Sequence, residues 1–340
     1  MSGQLALVTG ATGYIASHLV PALVGAGWEV RACGRRERPE HLPDSVEFRQ
    51  ADLAGDDDLG PLVAGLSHVF HLAGASSSKS SDEEMQRDNG VATARLLDAA
   101  RAAGMERFLH MSSTSVYGEE VQLPLPVRED VEPHPSRSYG KAKWAAEEAV
   151  WKAGEDDVAV VVLRPVSVYG PGAIKLVGSA VLDVAIERFA GLDRLAVATP
   201  PIEQRLLHVG DLVRACLHLA VHDGAVGRAF NVVSSTYPSS HEIARILAGQ
   251  FDMEVELSED QDCGLSCDER AEVRDRMLAE GMRDHILLTK ERFRFMRKSN
   301  RNNRLSIDAL LETGFEFGED DLESSLQRNV AWYRDNKWVL

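Results

Sequence analysis

"LALVTGATGYIASHL", residues 5–19, decides the fold. A short apolar run leads into a turn carrying Gly10 and Gly13, and a helical pattern follows at once. Glycine serves where a backbone turns tightly and where a pyrophosphate must approach main-chain N–H groups with no Cβ in the way. Ala16 takes the third small position, where helix and strand pack closely, and the dinucleotide-binding fingerprint accepts alanine there. The turn is therefore predicted to hold a cofactor through Gly10, Thr12, Gly13, Tyr14 and Ile15, with a plain glycine loop as the alternative.

Working outward, apolar strand candidates recur at 5–10, 29–34, 46–53, 68–74, 107–113 and 158–165, with helical stretches between them. Nearly continuous apolar strands alternating with helices predict an α/β protein, a Rossmann-type doubly wound parallel sheet covered on both faces. Pro21 falls inside the first helix and is expected to remove one hydrogen bond there. After residue 166 the pattern loosens: helices are expected over 177–190 and 239–250, a late strand at 228–233, and the strongly acidic stretch 254–285 is expected to be helix with solvated faces. The expected organisation is a dinucleotide-binding domain over 1–165, rejoined by about 205–250. A smaller, interwoven C-terminal substrate domain takes 166–204 and 251–340.

Composition excludes several classes. With 37 Lys and Arg against 53 Asp and Glu, a net charge of −16, the chain is not built for nucleic acid. The N-terminus enters a strand at once, leaving no room for a leader, and "VAVVVL" (158–163) is too short to span a bilayer. No membrane partner is expected, and the protein is predicted to be soluble and cytoplasmic. Cys33, Cys216, Cys263 and Cys267 lack metal-ligand spacing, so they are predicted to be reduced thiols and no metal is expected.

The chemistry is carried by two later stretches. In "SYGKAK", Tyr139 and Lys143 stand four apart at the start of a helical stretch, on one helix face. A phenol is a poor base at neutral pH, but a nearby ammonium stabilises its phenolate. So tuned, it can exchange the proton of a secondary alcohol while a hydride moves. Upstream, "MSSTSVYG" puts Ser113 at a strand's C-terminal end, where open α/β sheets form their sites. Its hydroxyl could hold the substrate oxygen.

Taken together, these residues resemble an extended short-chain dehydrogenase/reductase of the NAD-dependent epimerase/dehydratase family. The resemblance covers most of the first 235 residues: "TGATGYIA", "ADL" (51–53), "HLAG" (71–74), Asn89, "SSTSVYG", "YGKAK", "RPVSVYGPG" (164–172), "QRLLHVGDLVRA" (204–215) and "FNVV" (230–233). It implies a Ser113–Tyr139–Lys143 catalytic triad, with Lys143 also bonding the nicotinamide ribose. It implies Asp52 and Leu53 beside the adenine, Leu72, Ala73 and Gly74 along the middle of the cofactor, and Pro165 as a further contact. Asn89 props that loop. Substrate contacts are implied for Thr114, Ser167 and Arg205, although "ATPPIE" replaces the glycine-rich turn usual before the arginine and Ser167 stands where many members have Asn. A homodimer through the helices at 89–103 and 139–153 is also implied, with Trp144 and Trp151 as interface anchors or core residues.

"EVRACGRRERPE", residues 29–40, bears on the cofactor. An acid at the end of this strand accepts from the adenosine ribose and repels a 2′-phosphate. Gly34 stands there instead, and Arg35 and Arg36 can form charge-assisted bonds to a 2′-phosphate. The reading is NADP, with NAD as the alternative.

The function expected is an NAD(P)-dependent oxidoreductase acting on a secondary alcohol or ketone, a small-molecule substrate that could be a sugar nucleotide. The alternatives are a nucleotide-sugar epimerase with resident NAD, or an NADP-sensing scaffold. Thr114 and Ser115, where dehydratases carry an Asp-Glu pair, disfavour dehydration. The basic run 290–304 could hold a diphosphate or form a solvated face.

Overall fold

The structure is a computed structural model that describes residues 4–76, 80–156, 158–293, 296, 304–318 and 321–340. In chain order it begins β1 (Leu5–Thr9), α1 (Tyr14–Gly25), β2 (Glu29–Gly34), β3 (Glu47–Gln50), α2 (Gly60–Val63) and β4 (His68–His71). Then come α3 (Asp82–Gln86), α4 (Ala92–Ala102), β5 (Arg107–Met111), α5 (Ser138–Glu155) and β6 (Val160–Pro165). Next are β7 (Ser167–Tyr169), α6 (Val177–Phe189), β8 (Arg194–Ala198), β9 (Leu206–His208), α7 (Val209–Val221) and β10 (Arg228–Val232). The chain closes with α8 (Ser240–Gly249), β11 (Glu254–Ser258), α9 (Cys267–Ala279), α10 (Asp308–Leu311) and α11 (Leu322–Asp335).

The chain divides into two compact units. The first takes Met1–Val166, Val209–Val233 and Arg304–Glu316; the second takes Ser167–His208, Ser234–Asn303 and Phe317–Leu340. The return of the chain to the first unit is narrower than 205–250, because α8 buries Ile243, Ala244 and Leu247 in the core of the second unit. A later return, Arg304–Glu316, brings Val127 N–H to the Arg304 carbonyl at 2.8 Å.

The first unit holds a seven-stranded parallel sheet of order β10-β6-β5-β4-β1-β2-β3. β1 leads outward to β2 and β3, and the chain then crosses to β4 on its other side. That reversal is the topological switch point, where open α/β sheets bind ligands at their carboxyl ends. Leu7, Val69, Phe108 and Val162 are fully buried, as strands covered on both faces must be. α1 runs unbroken through Pro21.

Several strands end sooner than the apolar runs suggest. β4 stops at His71, releasing Leu72–Gly74 into a loop, and β3 stops at Gln50, leaving Asp52 and Leu53 beyond the sheet. In the second unit the acidic stretch opens not on a helix but on β11, which pairs in parallel with β8. Val255 packs against the core there, and α9 behind it buries Arg270, Val273 and Met277. The Arg270 guanidinium donates to Asp183 at 2.7 Å, and both side chains are 1% exposed.

Candidate active site and cofactor cleft

The phosphate turn forms at the end of β1. Gly10 adopts φ 69°, and a Cβ there would lie 2.9 Å from the Ala73 amide nitrogen, so only glycine fits. Gly13 is the N-cap of α1 and supplies no side-chain cap, so no capping side chain competes with an anion at this helix end. Thr12, Tyr14 and Ile15 are half-buried around the turn, as are Leu72 and Ala73 facing it. Gly74 has φ 159°, and a Cβ on it would collide with Asn89 Oδ1. Asn89 itself is buried and donates to the Ala75 carbonyl at 3.1 Å and the Met85 carbonyl at 2.9 Å, bracing the loop. The bare helix end and the two crowded glycines fit a dinucleotide.

At the adenosine end, β2 finishes on Gly34, whose missing Cβ would stand 3.4 Å from Thr12 Cγ2. Arg35 and Arg36 follow, both exposed. Gln50 Nε2 donates to the Arg35 carbonyl at 3.0 Å and fixes the bend. The Arg35 guanidinium reaches Asp88 at 2.7 Å, while Arg87 reaches Asp88 at 3.0 Å and Asp52 at 2.5 Å. Burial works to raise the Asp52 carboxyl, but Arg87 and the Ala54 N–H hold it below its ordinary value. Asp88 and Arg87 occupy one π-helical turn, Arg87–Val91, a rare local geometry that recurs at functional sites. Leu53 is buried in the apolar core of this unit.

At the catalytic end, α5 starts at Ser138 and carries Tyr139 and Lys143 one turn apart. Ser113 follows β5; its hydroxyl accepts from Ser115 N–H at 3.2 Å and lies near enough to Tyr139 to work against the upward shift of that phenol. Tyr139 is half-buried; burial raises its phenol above the ordinary value, and Ser113 only partly offsets this. Lys143 is 5% exposed, and its Nζ donates to the Met111 carbonyl at 2.9 Å. Burial depresses it to about 8 against the opposing charge of Glu147. Thus the ammonium sits at the end of β5, and in this structure the phenol is governed by burial and Ser113. Helix spacing gives the shared face but not the reach of the lysine stem.

Beneath Lys143 lie His71 and His110, register partners on β4 and β5 with rings 5.5 Å apart. His71 bridges Thr9 Oγ1 and Thr93 Oγ1, each at 2.8 Å, and burial with the Lys143 charge pushes it down to about 3. Pro165 is buried at the end of β6, where its carbonyl accepts from Thr114 Oγ1 at 3.4 Å. Ser167 and Arg205 belong to the second unit. There β7 and β9 pair Ser167 with Leu206, next to Arg205.

Of the basic run 290–304, residues 294–295 and 297–303 lie outside the described residues. Arg292 is not on a solvated face: it is buried, ion-paired with Glu187, and donates to the Ala196 carbonyl at 2.6 Å. Sequence reasoning also passed over Arg87, Asp88 and Glu147. The partners of the first two come from the loop after β2 and the loop after β3, and no local pattern announces them. Glu147 continues the four-residue spacing of Tyr139 and Lys143, a signal that was available.

The profile of the NAD dependent epimerase/dehydratase family matches residues 6–233. GDP-6-deoxy-D-mannose reductase of Pseudomonas aeruginosa is 31% identical over 268 residues, covering 76% of this chain and 83% of that protein. UDP-glucose 4-epimerase of Mycolicibacterium smegmatis is 31% identical over 265 residues, covering 72% of this chain and 81% of the relative. The structure of RMD from Pseudomonas aeruginosa complexed with NADPH is 25% identical with a TM-score of 0.70, covering 98% of this chain and 99% of that one. The chain belongs to the NAD-dependent epimerase/dehydratase family, as an NAD(P)-dependent oxidoreductase or epimerase of the extended short-chain type.

Proposed function

We propose that the protein is an NADPH-dependent reductase acting on a carbonyl of a nucleotide-diphosphate sugar. The observation that carries this reading is the end of β2, where Gly34 and two exposed arginines stand in place of an acid. Guanidinium groups form strong paired bonds with phosphate, whereas a carboxylate there would repel it. The names of the relatives, a GDP-sugar reductase and a UDP-sugar epimerase, support the substrate class.

The turn Gly10–Ile15 would hold the pyrophosphate, Asp52 and Leu53 the adenine, and Leu72–Gly74 with Pro165 the middle of the cofactor. When bound, the nicotinamide supplies hydride chemistry at a substrate carbon. The phenol of Tyr139, raised by burial, is protonated at neutral pH and suits the donor of a proton to the nascent alkoxide. Ser113, near that phenol, holds the substrate oxygen beside it. Lys143, at about 8, remains an ammonium at neutral pH and would bind the nicotinamide ribose. Thr114, Ser167 and Arg205 serve the sugar nucleotide, and the α4 and α5 helices serve a homodimer.

The test is the double substitution Arg35→Ala/Arg36→Ala, with NADPH and NADH affinities measured by nicotinamide fluorescence. NADPH should weaken about tenfold or more, as the loss of charged hydrogen bonds implies, with NADH nearly unchanged. Equal losses for both coenzymes would remove the NADP assignment. One observation favours a second reading, an epimerase with resident NAD: Arg35 is already engaged by Asp88 at 2.7 Å. Mass spectrometry of nucleotides released from the denatured protein separates the two.

A further inference from the structure

We propose that Glu147 is a positioning residue of the catalytic set, holding the Lys143 side chain as an ammonium and, through Ser112, the strand end that presents Ser113. The inference rests on the reading of Lys143 as the ribose-binding lysine. Tyr139, Lys143 and Glu147 stand four apart on α5, so their side chains stack along one face. Exposure falls along that face: Tyr139 is half-buried, Lys143 is 5% exposed and Glu147 is fully buried.

Glu147 is rigidly held. Its Oε1 accepts from the Ser112 hydroxyl and from Arg164 Nε at 3.1 Å, and its Oε2 accepts from Arg164 Nη2 at 2.7 Å. Arg164 is itself fixed by the Tyr117 hydroxyl at 2.9 Å and the Glu129 carbonyl at 3.0 Å. Ser112 directly precedes Ser113, so one carboxylate anchors both the strand end and the helix face that bear the reacting groups.

The electrostatic part follows from what faces Lys143. From β4 and β5 come His71 and His110, both kept neutral by burial and by the lysine charge. The loop after β4 contributes Gly74, and the π-helical turn contributes the neutral amide of Asn89. From its own helix come the neutral Tyr139 phenol and the Glu147 carboxylate. Among the described residues, Glu147 is the acid that opposes the desolvation of Lys143. Without it, the buried amine loses its proton at a lower pH, and a neutral amine neither steadies a phenolate nor makes a charge-assisted bond to a ribose.

A carboxylate that served only to hold Arg164 would affect folding stability and leave the titration of Lys143 where it is. The experiment measures the affinity of NADPH and of NADH by fluorescence as a function of pH. The proteins are the wild type, Glu147→Gln, Glu147→Asp and Lys143→Met, each first checked for native circular dichroism. The wild-type affinity should fall with a midpoint near 8. Glu147→Gln should move that midpoint down by about one unit or more, about a tenfold fall in the ammonium-to-amine ratio and about fivefold less ammonium at the original midpoint. Glu147→Asp, which keeps the carboxylate, should return the midpoint most of the way to the wild-type value. If Glu147→Gln fails to fold because Arg164 is left unpaired, Glu147→Gln/Arg164→Met removes both charges and should show a downward shift, smaller because the neighbouring guanidinium charge is lost as well. A folded variant lacking Glu147 with an unmoved midpoint overturns the inference. A Lys143→Met protein that keeps the wild-type pH break shows instead that Lys143 is not the titrating group, and the reading of Lys143 falls first.

Discussion

The two ends of the candidate cofactor cleft are built on ion pairs of the same chemistry and opposite surroundings. At the adenosine end, Arg35 and Asp88 are 56% and 12% exposed, and Arg87 and Asp52 are 45% and 34% exposed. At the catalytic end, Arg164 and Glu147 are 4% and 0% exposed. In water a pair of charges gains little and rearranges easily, whereas in the interior an uncompensated charge is costly. The first arrangement suits selection among ligands that bring or lack a phosphate. The second suits the fixed geometry that proton transfer requires.

Breaking the buried side should have the largest effect. Arg164→Met leaves the Glu147 carboxylate without its guanidinium and should lower the unfolding free energy by about 3–5 kcal/mol in chemical denaturation. A loss below about 1 kcal/mol, the range of surface pairs, would erase the contrast.

An intermediate effect is expected from acid. His71 and His110 are held neutral in the folded state, with pKa values below the 6.5 of an unfolded histidine. Their contribution is therefore fully present above 6.5 and is lost as the pH falls toward the folded values, about 3 for His71. The slope is at most about 1.4 kcal/mol per pH unit for each ring. Melting temperatures recorded from pH 6.5 down to 4.5 should decline, and His110→Leu should flatten the decline relative to the wild type, in which the carboxylates titrate alike. An unchanged slope in that variant would mean that His110 takes no part.

The smallest effect sharpens the comparison from the exposed side. Asp88→Asn removes the partner of Arg35 and should change stability by less than about 1 kcal/mol, because both members are reached by solvent on at least one side. A destabilisation as large as that of Arg164→Met would show that the adenosine end is also a structural network.

How far each end could be read in advance follows the same division. The glycine turn, the end of β2 at Gly34 and the shared face of Tyr139 and Lys143 are local features, set by backbone sterics and helical periodicity within a few residues. The alternation of strands and helices likewise implied the parallel sheet, because continuous apolar strands need cover on both faces. The short strands β7, β8, β9 and β11 were not legible, since runs of three to five residues in a mixed acidic and apolar stretch carry little periodicity. The early end of β3 at Gln50, the buried role of Arg292 and the meeting of Arg35 with Asp88, 53 residues away, were beyond reach for a different reason. The sequence determined which residues are candidates for the chemistry and in what local order. Only the tertiary structure decided which charges face each other and which of them are dry, because strand order and burial arise from contacts between segments far apart in the chain.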